Sequence, residues 1–240
     1  MGPDSSTAAA SAATANGRAG SKRAASEARL LKAAEEVFAQ TGFTGARTAQ
    51  IAQRAGLPKA NLHYYFRTKE AIYQRVLENV LQVWLAMGDS IQPEADPQDA
   101  LTHYIAAKVE HSRRRPFASK VFANEMLHGA PQVKGYLRHE LRRWVDAKAG
   151  VIDDWIAQGR MAPIDARHLF FTLWAMTQTY ADFDVQVAAV LGRRRIAPAD
   201  YHAAAALITQ LILRGAGLAG EARKIRHRAT EDTEKEEKGS

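Results

Sequence analysis

Residues 57–73 read "LPKANLHYYFRTKEAIY", a stretch that sets an amide and an imidazole beside three aromatic rings, between two lysines. Lys59, Asn61, His63 and Tyr64 carry the donors and two-way groups that can read base edges. The Tyr64 hydroxyl and the Lys69 ammonium suit phosphate oxygens, which position a protein on a duplex without reading its sequence. Tyr64, Tyr65 and Phe66 are consecutive, so no single helix face can bury all three. Core and contact roles must therefore be mixed within that tripeptide.

A second constellation lies far downstream. Trp174 and Gln178 are four positions apart and share one helix face. A flat ring beside an amide that both donates and accepts suits a small planar ligand with an imide edge. A buried Gln is costly unless something bonds it. Trp84 joins this candidate ligand set as a further ring, and Glu125 as an acceptor for a ligand N–H. Glu125 and His128 form E-x-x-H, and Asp165 and His168 form D-x-x-H. A metal needs three or four ligands in suitable geometry, so neither metal nor cofactor is expected. Asp182 and Asp184 fall on different helix faces and make a poor acid/base pair. No Ser/His/Asp order and no Gly-rich phosphate loop points to an enzyme. Arg113 to Arg115 and Arg193 to Arg195 read as solvated helix ends.

The elements that must position these groups are helical throughout. Residues 26–41 form an amphipathic helix with Leu30, Val37 and Phe38 on one face, stopped by Gly42. Thr48 caps a short helix with Ile51, Ala52 and Ala55 inward and Gly56 at its end. Leu57 and Pro58 turn the chain, and residues 59–65 allow only two helical turns. A short helix, a Gly-containing turn and a second short helix make a helix-turn-helix pattern, whose second helix enters the major groove. The candidate DNA-facing set is Thr48, Lys59, Ala60, Asn61, His63, Tyr64, Tyr65 and Lys69, with Leu62 inward. Thr68 caps the next helix, over residues 69–89. Further helices are expected over 97–115, 117–128, 132–158, 165–191 and 198–214. The fold class is all-α, with about nine helices. A three-helix DNA-binding domain (26–77) precedes a helical ligand-binding and dimerisation domain (78–218). An Ala-rich arm (1–25) and a charged tail (219–240) are expected to be disordered.

Residues 26–77, with Gly42-Phe43, Thr48, Ile51-Ala52, Ala55-Gly56, Leu62-His63-Tyr64-Tyr65-Phe66 and Lys69-Glu70, resemble nearly throughout the DNA-binding region of the TetR family of one-component repressors. Residues 115–131 and 161–192 are similar to the ligand-binding domain of its pyrimidine-utilisation (Rut) subgroup, which senses uracil and thymine. The resemblance implies a ligand-responsive repressor with a uracil- or thymine-like effector, controlling pyrimidine or related nitrogen catabolism. The competing classes are a TetR-type regulator with another effector, a ligand-independent architectural DNA binder, and a small helical enzyme.

Charge and composition agree with DNA binding at one end. The chain carries a net charge of +7. Residues 1–75 hold 11 Lys and Arg against 5 Asp and Glu, whereas residues 76–220 hold 16 against 15. A basic amino-terminal module on a near-neutral body expects a polyanion for that module alone. Cys is absent, which excludes disulfides and thiolate metal sites. No apolar run approaches the ~18 residues that a membrane span needs. A cytoplasmic location is expected. The apolar surplus of 165–191 and 198–214, including Leu207 and Leu211, predicts a homodimer through a four-helix bundle. Two recognition helices about one DNA turn apart (~34 Å) would then read a pseudo-palindromic operator on double-stranded DNA.

Overall fold

In the computed structural model, residues 5–218 are described, residues 5–22 by their backbone only. The expected tail, 219–240, lies outside these residues, as do residues 1–4 of the expected arm. Every regular element among the described residues is helical. The chain divides into two compact units, Met1–Asn79 and Val80–Ser240.

In the first unit, α1 (Ser5–Gly45) begins far upstream of residue 26, because Ala-rich sequence favours helix. Its ladder breaks at Gly42, whose φ of 69° is open to glycine at little cost. α2 (Thr48–Ala55) follows with Ile51, Ala52 and Ala55 buried. Thr48 is the first helical residue rather than the cap; the Arg47 N–H donates to the Gln50 side chain at 3.0 Å. Gly56 ends α2 in the left-handed conformation, and α3 (Lys59–Tyr65) is seven residues long. The Ala71 N–H donates to Thr68 Oγ1 at 3.1 Å, which caps α4 (Lys69–Ala86) as expected. Leu30, Phe38, Ile51, Leu62, Ile72 and Val76 make the core.

In the second unit, a 3-10 turn (Met87–Ser90) leads to α5 (Pro97–Arg114), capped by the Asp96 carboxylate. α6 (Pro116–Leu127) starts at the proline that ends α5. The helix expected over 132–158 forms as α7 (Lys134–Tyr136), a π turn (Leu137–Leu141) and α8 (Arg142–Ala157). The helix expected over 165–191 breaks at Phe183 into α9 (Ala166–Asp182) and α10 (Asp184–Val190). The Asp184 carboxylate accepts the Val185 N–H at 2.8 Å, a local bond that favours a fresh start there. α11 (Pro198–Gly215) closes the described chain. α5 packs against α9 and α11, around Leu101, Tyr104, Ile105, Trp155, Phe170 and Leu173. No helix among the described residues is long and apolar enough to cross a membrane.

Candidate functional site

The recognition surface is built on α3, whose side chains divide sharply. Leu62 is fully buried, while Lys59, Ala60, Asn61, His63 and Tyr64 are exposed. Tyr64 is 69% exposed, which leaves its ring and hydroxyl open to a partner. Its ring meets Tyr65 edge-on at 5.3 Å between centroids, and the Arg23 guanidinium stands 5.5 Å from its centre. Tyr65 is half-buried and Phe66 buried, so the tripeptide passes from surface to core in three steps. Thr48, also half-buried, stands at the start of α2.

α3 is held in place by a group that the sequence reading missed. Arg29 of α1 donates to the Ala55 carbonyl at 2.6 Å and to the Gly56 carbonyl at 3.4 Å. A guanidinium at the C-terminal end of α2 satisfies carbonyls that lack helical partners and complements the helix dipole. A Cβ added at Gly56 would lie 3.1 Å from Arg29 Nη2, so the turn needs glycine for both space and backbone. Arg54 adds an ion pair to Glu36 at 2.8 Å. The signal for Arg29 was its place on the polar face of α1, which carries no partner information.

Lys69 requires a correction. It was expected to reach DNA phosphate, but its ammonium donates to the carbonyls of Phe43, Ala46 and Thr44 at 2.8, 3.2 and 3.4 Å. It also stands 4.5 Å from the centre of the Phe43 ring. An ammonium has three donors, and all three are taken by carbonyls at and just past the C-terminal end of α1, which lack helical partners.

The second unit contains a cavity of about 50 Å³ lined by Trp84, Trp144, Trp174, Gln178, Tyr104, Lys108 and the apolar side chains of Leu81, Leu85, Phe122 and Leu141. A water needs at least ~10–15 Å³ of such space, so a few waters or one small ring fit. The structure thus brings Trp84, Trp174 and Gln178 together. The indole N–H of Trp174 donates to the Tyr104 hydroxyl at 2.8 Å, which fixes the ring. Among the described residues the Gln178 amide makes no hydrogen bond to protein. Trp144 is held against Gly88, where any Cβ would overlap its ring.

Glu125 is not part of this cavity, which corrects the fourth expected ligand residue. It is buried and accepts the Gln132 N–H at 2.6 Å. There it braces the turn in which Ala130 adopts a positive φ of 56°. An irregular buried turn needs acceptors for its N–H groups, and Glu125 supplies one.

Lys108 was overlooked because it interrupts the apolar stripe of α5. It is 2% exposed, and its ammonium stands 4.0 Å from the centre of the Trp84 ring. Burial holds its pKa down at about 7, against an opposing pull from Asp182. Burial likewise lowers His111 to about 4, aided by the charges of Arg115 and Lys108. The Trp84 indole N–H and His111 Nε2 are buried without hydrogen-bond partners. Asp182 is pushed up by burial while the Ser119 hydroxyl, donating at 2.6 Å, opposes the shift.

The outer faces of the last helices expose apolar side chains. Leu207 and Leu211 are each about half exposed, while their neighbours Ile208 and Ile212 on α11 are buried. Phe171 of α9, Phe183, and Val185 and Val190 of α10 are exposed as well.

Comparison with known proteins matches both units. Residues 30–76 match the family described as bacterial regulatory proteins, tetR family, and residues 77–219 match the YcdC-like protein C-terminal region. The chain is 46% identical to the HTH-type transcriptional regulator RutR of Escherichia coli K12 over 163 residues, covering 68% of this chain and 77% of that protein. It is 34% identical to the HTH-type transcriptional repressor NicS of Pseudomonas putida over 100 residues, 41% of this chain and 47% of that one. The crystal structure of the TetR family regulator PfmR from Thermus thermophilus superposes with a TM-score of 0.62 at 21% identity, covering 78% of this chain and 97% of that one, a likeness of fold. With both of its units matched in this way, the chain belongs to the TetR family and is a transcriptional regulator of the TetR type.

Proposed function

We propose that this regulator is a dimeric repressor whose hold on a pseudo-palindromic operator is released by a small planar nitrogen heterocycle of the uracil or thymine class, and that it controls pyrimidine or related nitrogen catabolism. The observation that carries the effector reading is the cavity itself. Three indole rings surround a small space into which an unbonded Gln178 amide faces. A lactam edge, with donor and acceptor side by side, is the complement of a primary amide. The 46% identity to RutR supports the same choice. DNA contact is assigned to the exposed face of α3, with Lys59, Asn61 and His63 reading bases and Tyr64 reaching phosphate. A dimer through the exposed faces of α9 to α11 would present two such helices.

A ligand changes DNA affinity only if it prefers one of two arrangements of those recognition helices. α4 carries Lys69 at its start and Trp84 near its end, so a contact made at the cavity acts on the helix that follows α3 in the chain. Calorimetry of the full chain with uracil and thymine, run beside an operator mobility shift, tests the reading. The expected result is that both pyrimidines bind and release operator, and that Gln178→Ala and Trp174→Ala lose that response while still binding DNA. Operator release by neither pyrimidine rejects the effector class.

A further inference from the structure

α1 places one more cation beside the recognition helix. The Arg23 guanidinium stands 5.5 Å from the centre of the Tyr64 ring, and both side chains are exposed. Arg29, Arg54, Arg75 and Lys69, in the same unit, are each taken up by carbonyls or carboxylates. Glu27, one turn along α1 from Arg23, has the spacing to pair with it. It lies 3.9 Å from Arg75 instead. Among the described residues no carboxylate or carbonyl holds Arg23. A cation over a ring uses none of its N–H groups there, so the five side-chain donors of Arg23 stay open.

Tyr64 occupies a matching position. It sits in the last turn of α3, which runs Lys59–Tyr65. A recognition helix reads bases with its N-terminal residues, so its last turn lies toward the groove wall and the phosphates. The Tyr64 ring meets Tyr65 edge-on at 5.3 Å, and Tyr65 is half-buried. An exposed ring is thus held between an anchored neighbour and a guanidinium, oriented before a partner arrives. The charge of the unit suits the same partner, with 11 Lys and Arg against 5 Asp and Glu in residues 1–75.

We propose that Arg23 and Tyr64 together bind one backbone phosphate of duplex DNA, so that α1 as well as α3 touches the duplex. The Tyr64 hydroxyl donates to one phosphate oxygen and the guanidinium to the others. Arginine suits this place because its planar fork presents parallel donors to such an anion. Lys69, expected at phosphate, is consumed inside the unit, and Arg23 supplies the cation in its stead. The proposal rests on the assignment of α3 to DNA above, and adds to it a second helix and a charge. The contact reads no base; it sets where the protein sits on the backbone. Two side chains that share one phosphate lose it together, so their losses are not independent.

The test measures binding of the full chain over a series of salt concentrations. One duplex is selected by the protein from a random library, and the other is unrelated and of equal length. Arg23→Gln should weaken both by the same factor, about tenfold, and reduce the slope of log affinity against log salt by about 0.9, the value for one phosphate contact. Arg23→Lys keeps the charge and should keep the slope while losing part of the affinity. Tyr64→Leu should also weaken both duplexes, and the double variant should lose less than the product of the single losses. An unchanged slope in Arg23→Gln overturns the proposal, and a fallen melting temperature beside it makes the contact structural. A loss confined to the selected duplex overturns it as well, since Arg23 would then read bases. Multiplicative losses, or a Tyr64→Leu protein that binds both duplexes normally, overturn the shared phosphate. Tyr64→Leu that weakens binding beside an inert Arg23→Gln removes this proposal alone. The base-reading role of α3 falls separately, if Asn61→Ala selects the same sequence from the library.

Discussion

Lys69 and Lys108 are both drawn inward, one in each unit, and their surroundings are opposite. Lys69 has three carbonyls and a ring, which between them use its whole donor capacity. Lys108 has a ring and no acceptor. The first arrangement is a finished one and stabilises the DNA-binding unit. The second is unfinished, and it sits on a cavity. The same pairing of ammonium and aromatic face therefore means structure in one place and an open contact in the other. The count of satisfied donors separates the two.

The largest effect expected on this contrast comes from the surface rather than either lysine. Leu207→Asp with Leu211→Asp should give monomers in light scattering and lower operator affinity by at least ~10³-fold, since a single half-site recovers little of the specific over non-specific ratio. A dimer that persists moves the interface off α11. Next, Leu62→Ala empties a fully buried position beneath α3. It should cost about 2–5 kcal/mol, abolish operator binding at 37 °C and leave uracil calorimetry intact. Equal loss of both activities would mean that the units do not behave separately.

Gly88→Ala should drive Trp144 from its seat and weaken effector binding about tenfold, or ~1.4 kcal/mol, with operator affinity retained. Lys69→Met decides the role of that lysine. As a tether its loss lowers the melting temperature, with ~1.5–3 kcal/mol for bonds made by a charged group, and leaves the salt dependence of DNA binding unchanged. As a phosphate ligand its loss would instead reduce the salt slope by about one. The smallest effect is Lys59→Ala, a modest fall in operator affinity without change in melting, read by mobility shift.

The helix-turn-helix was legible because local rules set it. Gly56 marks the turn, Leu62 is the one residue of α3 that turns inward, and Thr68 caps α4, and each is a short-range statement. Trp84, Trp174 and Gln178 could be grouped because two of them share a helix face and all are amphipathic in the useful sense. The errors share a different origin. Lys69 and Glu125 have side chains of the right type for ligands, yet each is consumed by carbonyls or an N–H left over where a helix ends or the backbone turns, after α1 and around Ala130. Such partners appear only once the chain has folded. Lys108 failed in the reverse sense, since a cation inside an apolar stripe reads as an edge of the face rather than its centre. The break at Phe183 was hidden because both flanking segments are helical by composition.

The π turn at Leu137–Leu141 has a consequence for how this protein can change by insertion or deletion. Such a turn is one residue more than the α-helical ladder requires, and each residue advances the helix by about 100°. Leu141 and Trp144, which both line the cavity, therefore keep their phase relative to α7 only while the extra residue is present. Deleting Arg138, an exposed residue of the turn, would restore a plain helix and rotate α7 against α8 by about a quarter turn. Such a deletion should lose uracil binding in calorimetry although it removes no cavity-lining residue. A one-residue change in length that removes no ring and no amide from the cavity would thus count as a change in effector binding.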